Sequence, residues 1–146
     1  MKVRLKILLL WATGIVSLTC GSTSSSVRIT GRMLCHGKPA QYVEMQLIND
    51  RMWPLANIIM AENVFTDPNG DFEIAGYDDR DVSDARLYIW HRCFPRESQQ
   101  SDPCYNWFEI EIPRVHVQDG PFAEKAWKLG EIGLETPRGE KLDRCD

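Results

Sequence analysis

The sequence predicts an all-β protein, an antiparallel β-sandwich whose two packed sheets have an immunoglobulin-like layout. Short stretches alternate between apolar and polar residues, which is the period of half-buried strands. Turn signals rich in Gly, Pro, Asp and Asn separate these stretches, and no long helical period or strand–helix rhythm appears. The 146 residues have room for one domain, so about seven short strands are expected in a single sandwich.

The N-terminal segment has the layout of a secretory signal peptide. A basic start is followed by an apolar run and then by small and polar residues: Lys2, Arg4 and Lys6, residues 7–16, and residues 17–26. The apolar run is too short to cross a bilayer. We expect cleavage near Gly21, which makes residues 1–21 the signal peptide and residues 22–146 the sandwich domain.

Removal of this segment changes the charge and fixes the expected compartment. Without its three basic residues, 14 Lys and Arg stand against 21 Asp and Glu, a formal charge of −7. This balance argues against a nucleic-acid-binding protein. We expect a secreted, extracellular protein that does not span the membrane.

Four cysteines follow the signal segment: Cys35, Cys93, Cys104 and Cys145. An even number of cysteines in an oxidising compartment predicts two disulfides, and the sequence leaves three connectivities open. A metal site or a redox pair is the alternative, but no C-x-x-C pair is present. We expect structural disulfides, no metal and no cofactor.

The first half of the domain predicts two strands and a connection. Residues 26–35 alternate and predict the first strand, in which Gly31 indicates a bulge or a close backbone contact. The Gly and Pro of residues 36–40 predict a turn. Residues 42–49 have the cleanest alternation in the chain and predict a core strand. Residues 50–60 contain a proline and no clear period, so they predict a loop.

A tight turn is the next strong signal. Residues 61–66 and 72–77 alternate on either side of the sequence DPNGD, which predicts a second hairpin. Asp67, Asn69 and Asp71 of this turn alternate as calcium ligands do, but the glycine and glutamate of an EF-hand are not in place. The segment 78–84, which is rich in aspartate, is predicted to connect the two sheets.

A central hairpin spans residues 85–113, where two strands face each other across a polar loop that has a cysteine at each end. Leu87, Ile89 and His91 alternate with outward-facing residues. If Leu87, Ile89 and His91 face the core, the opposite face of the hairpin is an aromatic and charged surface. Its residue types are those that dominate binding hot spots. The alternative is that this face packs under residues 51–60. The candidate binding residues are Tyr88, Trp90, Arg92 and Trp107.

The end of the chain predicts one more strand. Residues 127–135 alternate only if the strand slips at Gly130, which indicates a bulge. The polar tail after it would fray unless Cys145 holds it.

Four stretches, taken together and in this order, resemble the nematode transthyretin-like secreted proteins: ITGRMLCHGKPAQYVEMQLI, FTDPNGDFEIAGY, LYIWHRC with PCYNWFEIEIP, and the terminal DRC. The resemblance implies a sandwich of two four-stranded sheets, secretion, and no established catalytic activity for most members. It also implies that Cys93 bonds Cys104 and Cys35 bonds Cys145, because the first and last strands belong to one sheet in that fold.

The function expected from the residues and the resemblance is binding, without catalysis. The partner is a receptor, a cell-surface lipid or a small apolar ligand. A rival is a hydrolase like the urate-pathway enzymes that share the transthyretin fold, which would use His36, His91 or His116. Those enzymes carry a C-terminal Tyr-Arg-Gly-Ser motif, whereas this chain ends GEKLDRCD. A second rival is a tetrameric carrier, which needs an exposed edge strand and an apolar seam.

Overall fold

In a computed structural model the chain folds into two packed β-sheets. The structure describes residues 24–50, 56–82, 84–94 and 105–136, and the backbone of residues 141–143. The strands are β1 (Ser25–Cys35), β2 (Lys38–Pro39), β3 (Glu44–Asn49), β4 (Ile58–Phe65), β5 (Asp71–Asp78), β6 (Ala85–His91), β7 (Tyr105–Glu111), β8 (Gln118–Asp119), β9 (Trp127–Gly133) and β10 (Lys141–Asp143). A 3₁₀ turn covers Arg114–His116. In the described part of the chain, no helix has the length and apolar character needed to cross a membrane.

Sheet A is built around β1. This strand pairs antiparallel with β2, β5 and β8, and it pairs parallel with β9, which is an exception to the expected antiparallel arrangement. Thr30 lies opposite Lys128 and Gly31 lies opposite Gly130. Leu129, between these two β9 residues, is therefore the extra residue of a bulge. Gly130 has a φ of 73°, a backbone conformation that glycine adopts without strain. The bulge predicted in the last long strand is therefore confirmed.

Sheet B has the order β10-β7-β6-β3-β4, with every neighbouring pair antiparallel. The predicted central hairpin is confirmed as β6 and β7, with Trp90 opposite Trp107 and Ile89 opposite Phe108. Each sheet has five strands among the described residues, compared with four in the expected fold. The difference arises because strands of two or three residues extend both sheets.

The core lies between the sheets and comes from alternate positions of the long strands. Its largest fully buried apolar side chains are Ile29 and Met33 of β1, Met45 and Leu47 of β3, Ile74 of β5, Leu87 and Ile89 of β6, and Leu134 after β9. Burial of such a side chain stabilises a fold by about 1.5–3 kcal/mol. The alternation in the sequence therefore identified the core face, and the other face of sheet B is left for contacts outside the sandwich.

The DPNGD turn is present, but the predicted hairpin around it is wrong. The Asp67 carboxylate accepts the backbone N–H groups of Asn69 at 2.8 Å and Asp71 at 2.9 Å, and Gly70 has a φ of 76°. However, β4 pairs with β3 in sheet B, whereas β5 pairs with β1 in sheet A. The turn is a corner between the sheets. Strand β4 also begins at Ile58, inside the segment predicted as a loop.

Candidate functional site

Aromatic side chains cluster on the outer face of sheet B. The ring of Tyr88 stacks on Trp90, with centroids 6.0 Å apart, and on Trp107, with centroids 5.6 Å apart. The β6–β7 register explains the contact with Trp107. This residue is opposite Trp90 and therefore diagonal to Tyr88, and diagonal neighbours lie within reach of large rings. We call this surface the aromatic face; it consists of Tyr88, Trp90, Arg92, Tyr105 and Trp107.

The members of the aromatic face differ in exposure. Trp90 is only 7% exposed, whereas Tyr88, Tyr105 and Trp107 are half-buried. Arg92 is exposed, and its guanidinium carbon lies 4.1 Å from the centroid of the Tyr105 ring, a cation–π contact. Of the four predicted binding residues, the structure therefore brings Tyr88, Arg92 and Trp107 at least partly to the surface, whereas Trp90 is buried. Tyr105 also belongs to this surface, as its outward position in β7 indicates.

A charged network borders the aromatic face and fixes it. The Arg86 guanidinium contacts the carboxylates of Asp84 at 2.9 Å, Glu109 at 2.6 Å and Asp50 at 3.5 Å. Burial and a hydrogen bond with Glu109 raise the pKa of Tyr88 to about 12. The Tyr88 hydroxyl therefore keeps its proton and donates a hydrogen bond to the Glu109 carboxylate, which restrains the ring.

The disulfide in the structure joins Cys35 to Cys93, with Cα atoms 5.7 Å apart. The expected pairing of Cys93 with Cys104 and of Cys35 with Cys145 is therefore wrong. The premise that the first and the last predicted strands share a sheet holds, since β1 pairs with β9 in sheet A, but the end of β1 lies beside the segment after β6, which carries Cys93. The bond connects the end of β1 to the segment after β6 and links the sheets. Cys104 and Cys145 lie outside the described residues.

The histidines do not form one site. The Nε2 atom of His36 lies 2.8 Å from the carbonyl oxygen of Phe94, beside the disulfide. His91 is 2% exposed, and its Nδ1 accepts the backbone N–H of Cys93 at 3.2 Å. Burial lowers the pKa of His91 to about 4, so its ring is neutral at physiological pH. His116 lies apart, stacked on Trp127 with centroids 4.7 Å apart.

His36 and His91 thus both lie beside the bond between Cys35 and Cys93, and we call this region the disulfide corner. The sequence analysis missed this juxtaposition. The signal was present, since His36 follows Cys35 directly and His91 precedes Cys93 by two residues. The sequence does not reveal the juxtaposition, because it does not show that Cys35 lies beside Cys93 in space.

Comparison with known proteins decides the family. Residues 30–113, which include most of β1 and all of β2 to β7, match the transthyretin-like family. The chain belongs to the transthyretin-like family. The stated resemblance and the sandwich fold that it implies are confirmed by this match and by the two sheets of the structure.

Individual relatives in Caenorhabditis elegans agree with this assignment. Transthyretin-like protein 5 is 33% identical over 132 residues, which cover 90% of this chain and 90% of the relative. Transthyretin-like protein 46 is 25% identical over 84% of this chain and 66% of its own length, and transthyretin-like protein 2 is 25% identical over 82% of each. A solved 9R-lipoxygenase from Cyanothece matches 75% of this chain with 16% of its own, at 19% identity and a TM-score of 0.40, which carries no argument about function.

Proposed function

We propose that this transthyretin-like chain is a secreted, extracellular binding protein that recognises its partner through the aromatic face of sheet B. The observation that carries the proposal is the stacking of Tyr88 between Trp90 and Trp107 on the side of the sheet opposite the core. Rings that are already fixed lose little conformational freedom on binding, and Trp, Tyr and Arg are the residue types that dominate hot spots. The N-terminal signal pattern and the inter-sheet disulfide support an extracellular location.

The partner that fits this surface best is an extracellular protein, such as a receptor. The aromatic face lies on a sheet surface, where half-buried rings adjoin Arg92 and the Arg86 network. Apolar centres bordered by charged groups are the usual anatomy of protein interfaces. A small apolar ligand is usually enclosed in a concave pocket instead. A cell-surface lipid is the remaining class.

The proposed role does not include catalysis. A hydrolase of the transthyretin fold would need histidine and arginine side chains that converge in a cleft. His91 and Arg92 line one cavity beside the disulfide, but the His91 ring is 2% exposed and accepts the backbone N–H of Cys93, while Arg92 lies over the Tyr105 ring. His116 lies apart, against Trp127, and this arrangement supports binding over hydrolysis.

Substitution of the exposed members of the aromatic face tests the proposal. We expect Trp107→Ala and Arg92→Ala to weaken the affinity for a partner captured from extracellular fluid at least about tenfold, as hot-spot truncations do. The matched control is Tyr77→Ala, which removes an aromatic ring that is 50% exposed on β5 of sheet A. Circular dichroism should show that all three variants are folded. Equal affinity of the folded Trp107→Ala variant and the natural protein would refute the proposal.

A carrier that assembles through edge strands is the second candidate, and one observation favours it. Strand β4 lies at the edge of sheet B and exposes Ile59 at 52% and Phe65 at 49%. Apolar side chains on an edge strand are a typical seam for strand pairing between subunits. Size-exclusion chromatography at micromolar concentration separates the candidates, because a monomer removes the carrier that needs several subunits.

A further inference from the structure

We propose that Cys35, His36 and Cys93 form a soft-metal site that becomes available when their disulfide is reduced, and that Zn²⁺ is the ion it suits best. One ligand atom from each of the three residues lies within 4.8 Å of the other two. Two thiolates and an imidazole are the donors that Zn²⁺ prefers, and at Zn–S of about 2.3 Å and Zn–N of about 2.0–2.1 Å neighbouring ligand atoms are roughly 3.5–3.8 Å apart. The three donors are thus clustered closely enough to reach one ion once the two sulfurs, which are bonded to each other, have moved apart. This site is separate from the aromatic face and does not depend on the proposed binding function.

The imidazole of His36 is already prepared for ligation. Its Nε2 lies 2.8 Å from the carbonyl oxygen of Phe94, and a carbonyl can only accept, so Nε2 carries the hydrogen and Nδ1 carries the lone pair. A metal-binding histidine typically donates its second ring N–H to a carbonyl or carboxylate in this way. The backbone N–H of His36 also donates to the Glu135 carboxylate at 3.1 Å. These contacts fix the turn that carries the ring.

Reduction of the disulfide converts the disulfide corner into a metal site. Two molecules of a small thiol supply two electrons and two protons: the bond between Cys35 and Cys93 breaks, two protein thiols form, and the small thiols join as one disulfide. Zn²⁺ then binds the two sulfurs and releases their two protons. A cavity of about 210 Å³ lined by both cysteines, with His91 and Arg92, gives a reductant access to the bond.

The geometry of the corner does not depend on the disulfide alone. The backbone N–H of Leu134 donates to the carbonyl of Leu34 at 2.8 Å, next to Cys35. Val43 and Leu134, which line the same cavity, are buried in the apolar core. The segments that carry the three ligands are therefore held by strand pairing and packing, and the sulfurs need only separate to admit an ion.

Metal binding by the reduced protein tests the inference. The purified protein is reduced with a phosphine, freed of reductant without oxygen, and titrated with Co²⁺ and Zn²⁺. We expect the thiolate-to-cobalt charge-transfer band and the visible bands of tetrahedral Co²⁺, which Zn²⁺ abolishes. Peptide-resolved alkylation assigns the ligands, since Zn²⁺ should protect Cys35 and Cys93. The oxidised protein should show neither effect.

Variants distinguish ligation by His36 from ligation by the cysteines alone. We expect His36→Gln to weaken Zn²⁺ affinity at least about tenfold, in line with losses at metal sites. The control His116→Gln, which changes the histidine stacked on Trp127, should bind as the natural protein does. Three results would each overturn the inference: unprotected Cys35 and Cys93, undiminished affinity of His36→Gln, or loss of the near-ultraviolet circular dichroism on reduction, since the preformed geometry would then be absent.

Discussion

Asn49 of β3 donates from Nδ2 to the Asp78 carboxylate of β5 at 2.9 Å, and this buried hydrogen bond joins sheet B to sheet A. Asn49 is fully buried and Asp78 is 6% exposed. The Oδ1 atom of Asn49 accepts the backbone N–H of Asp84 at 3.3 Å, while Asp78 accepts that of Arg80 at 3.1 Å. The predicted acidic connection between the sheets is thus held by a satisfied polar network, which fixes where β5 ends and β6 begins.

Replacement of Asn49 should destabilise the fold because it leaves a buried carboxylate short of a donor. We expect Asn49→Ala to lower the free energy of unfolding by about 2–3 kcal/mol, measured by urea denaturation at neutral pH. The control Gln41→Ala, at an exposed position, should change it by less than about 0.5 kcal/mol. Similar midpoints for both variants would show that the network does not stabilise the junction.

A close approach of β4 to β5 gives a second prediction. A Cβ atom on Gly76 would lie 2.6 Å from the backbone oxygen of Met60, so one strand would have to move. We expect Gly76→Ala to destabilise the protein by about 1–3 kcal/mol, the usual cost of overpacking. In Gly133→Ala the atom nearest the new methyl would be a Glu135 carboxylate oxygen at 3.3 Å, which has to move by only a few tenths of an ångström. The melting temperature of that control should stay near that of the natural protein, and an equal loss in both variants would contradict the prediction.

The sequence predicted the faces of the strands well because alternation is a local property. Leu87 and Ile89 are buried and Tyr88 faces outward, as their period of two requires. The bulge at Gly130 was predictable for the same reason, since a slip in the alternation appears in the sequence itself. Within the candidate site, the outward positions of Tyr88 and Trp107 followed from this pattern, but the burial of Trp90 depends on its neighbours in space.

What the sequence could not predict is which elements meet. The turn chemistry of Asp67 and Gly70 serves a hairpin and a corner between sheets equally well, so it does not reveal that β5 pairs with β1. The disulfide pairing failed for the same reason. The loop between Cys93 and Cys104 is short in sequence, but the end of β1 places Cys35 beside Cys93 in space.

The disulfide assignment predicts a specific peptide map. Under non-reducing conditions, digestion should yield a peptide pair that joins Cys35 to Cys93, and reduction should separate it. If all four cysteines of the domain are oxidised, Cys104 and Cys145 form the second bond. Recovery of a bond between Cys93 and Cys104 would contradict the structure.

The same bond should contribute strongly to stability. It closes a loop with a sequence separation of 58, for which the chain-entropy relation gives about 4 kcal/mol. We expect the double variant Cys35→Ala/Cys93→Ala to lose a stability of this order in chemical denaturation. A loss below about 1 kcal/mol would mean that the bond restrains the unfolded chain little.

The buried ring of His91 should make stability depend on pH in a defined window. Burial lowers its pKa from 6.5 to about 4, so the unfolded chain binds a proton on this residue more readily than the folded chain does. Stability contributed by the neutral ring is therefore complete above pH 6.5, is lost as the pH falls towards 4, and amounts to roughly 3 kcal/mol at about 1.4 kcal/mol per pKa unit.

Comparison of pH profiles isolates this contribution from that of the carboxylates. Urea denaturation across the window should show that the natural protein loses more stability on acidification than His91→Gln does, even if the variant is less stable at neutral pH. The control His116→Gln should keep the natural slope, because its ring is stacked on Trp127 away from His91. Parallel profiles for the natural protein and His91→Gln would show that the His91 ring accepts a proton in the folded state as readily as in the unfolded chain.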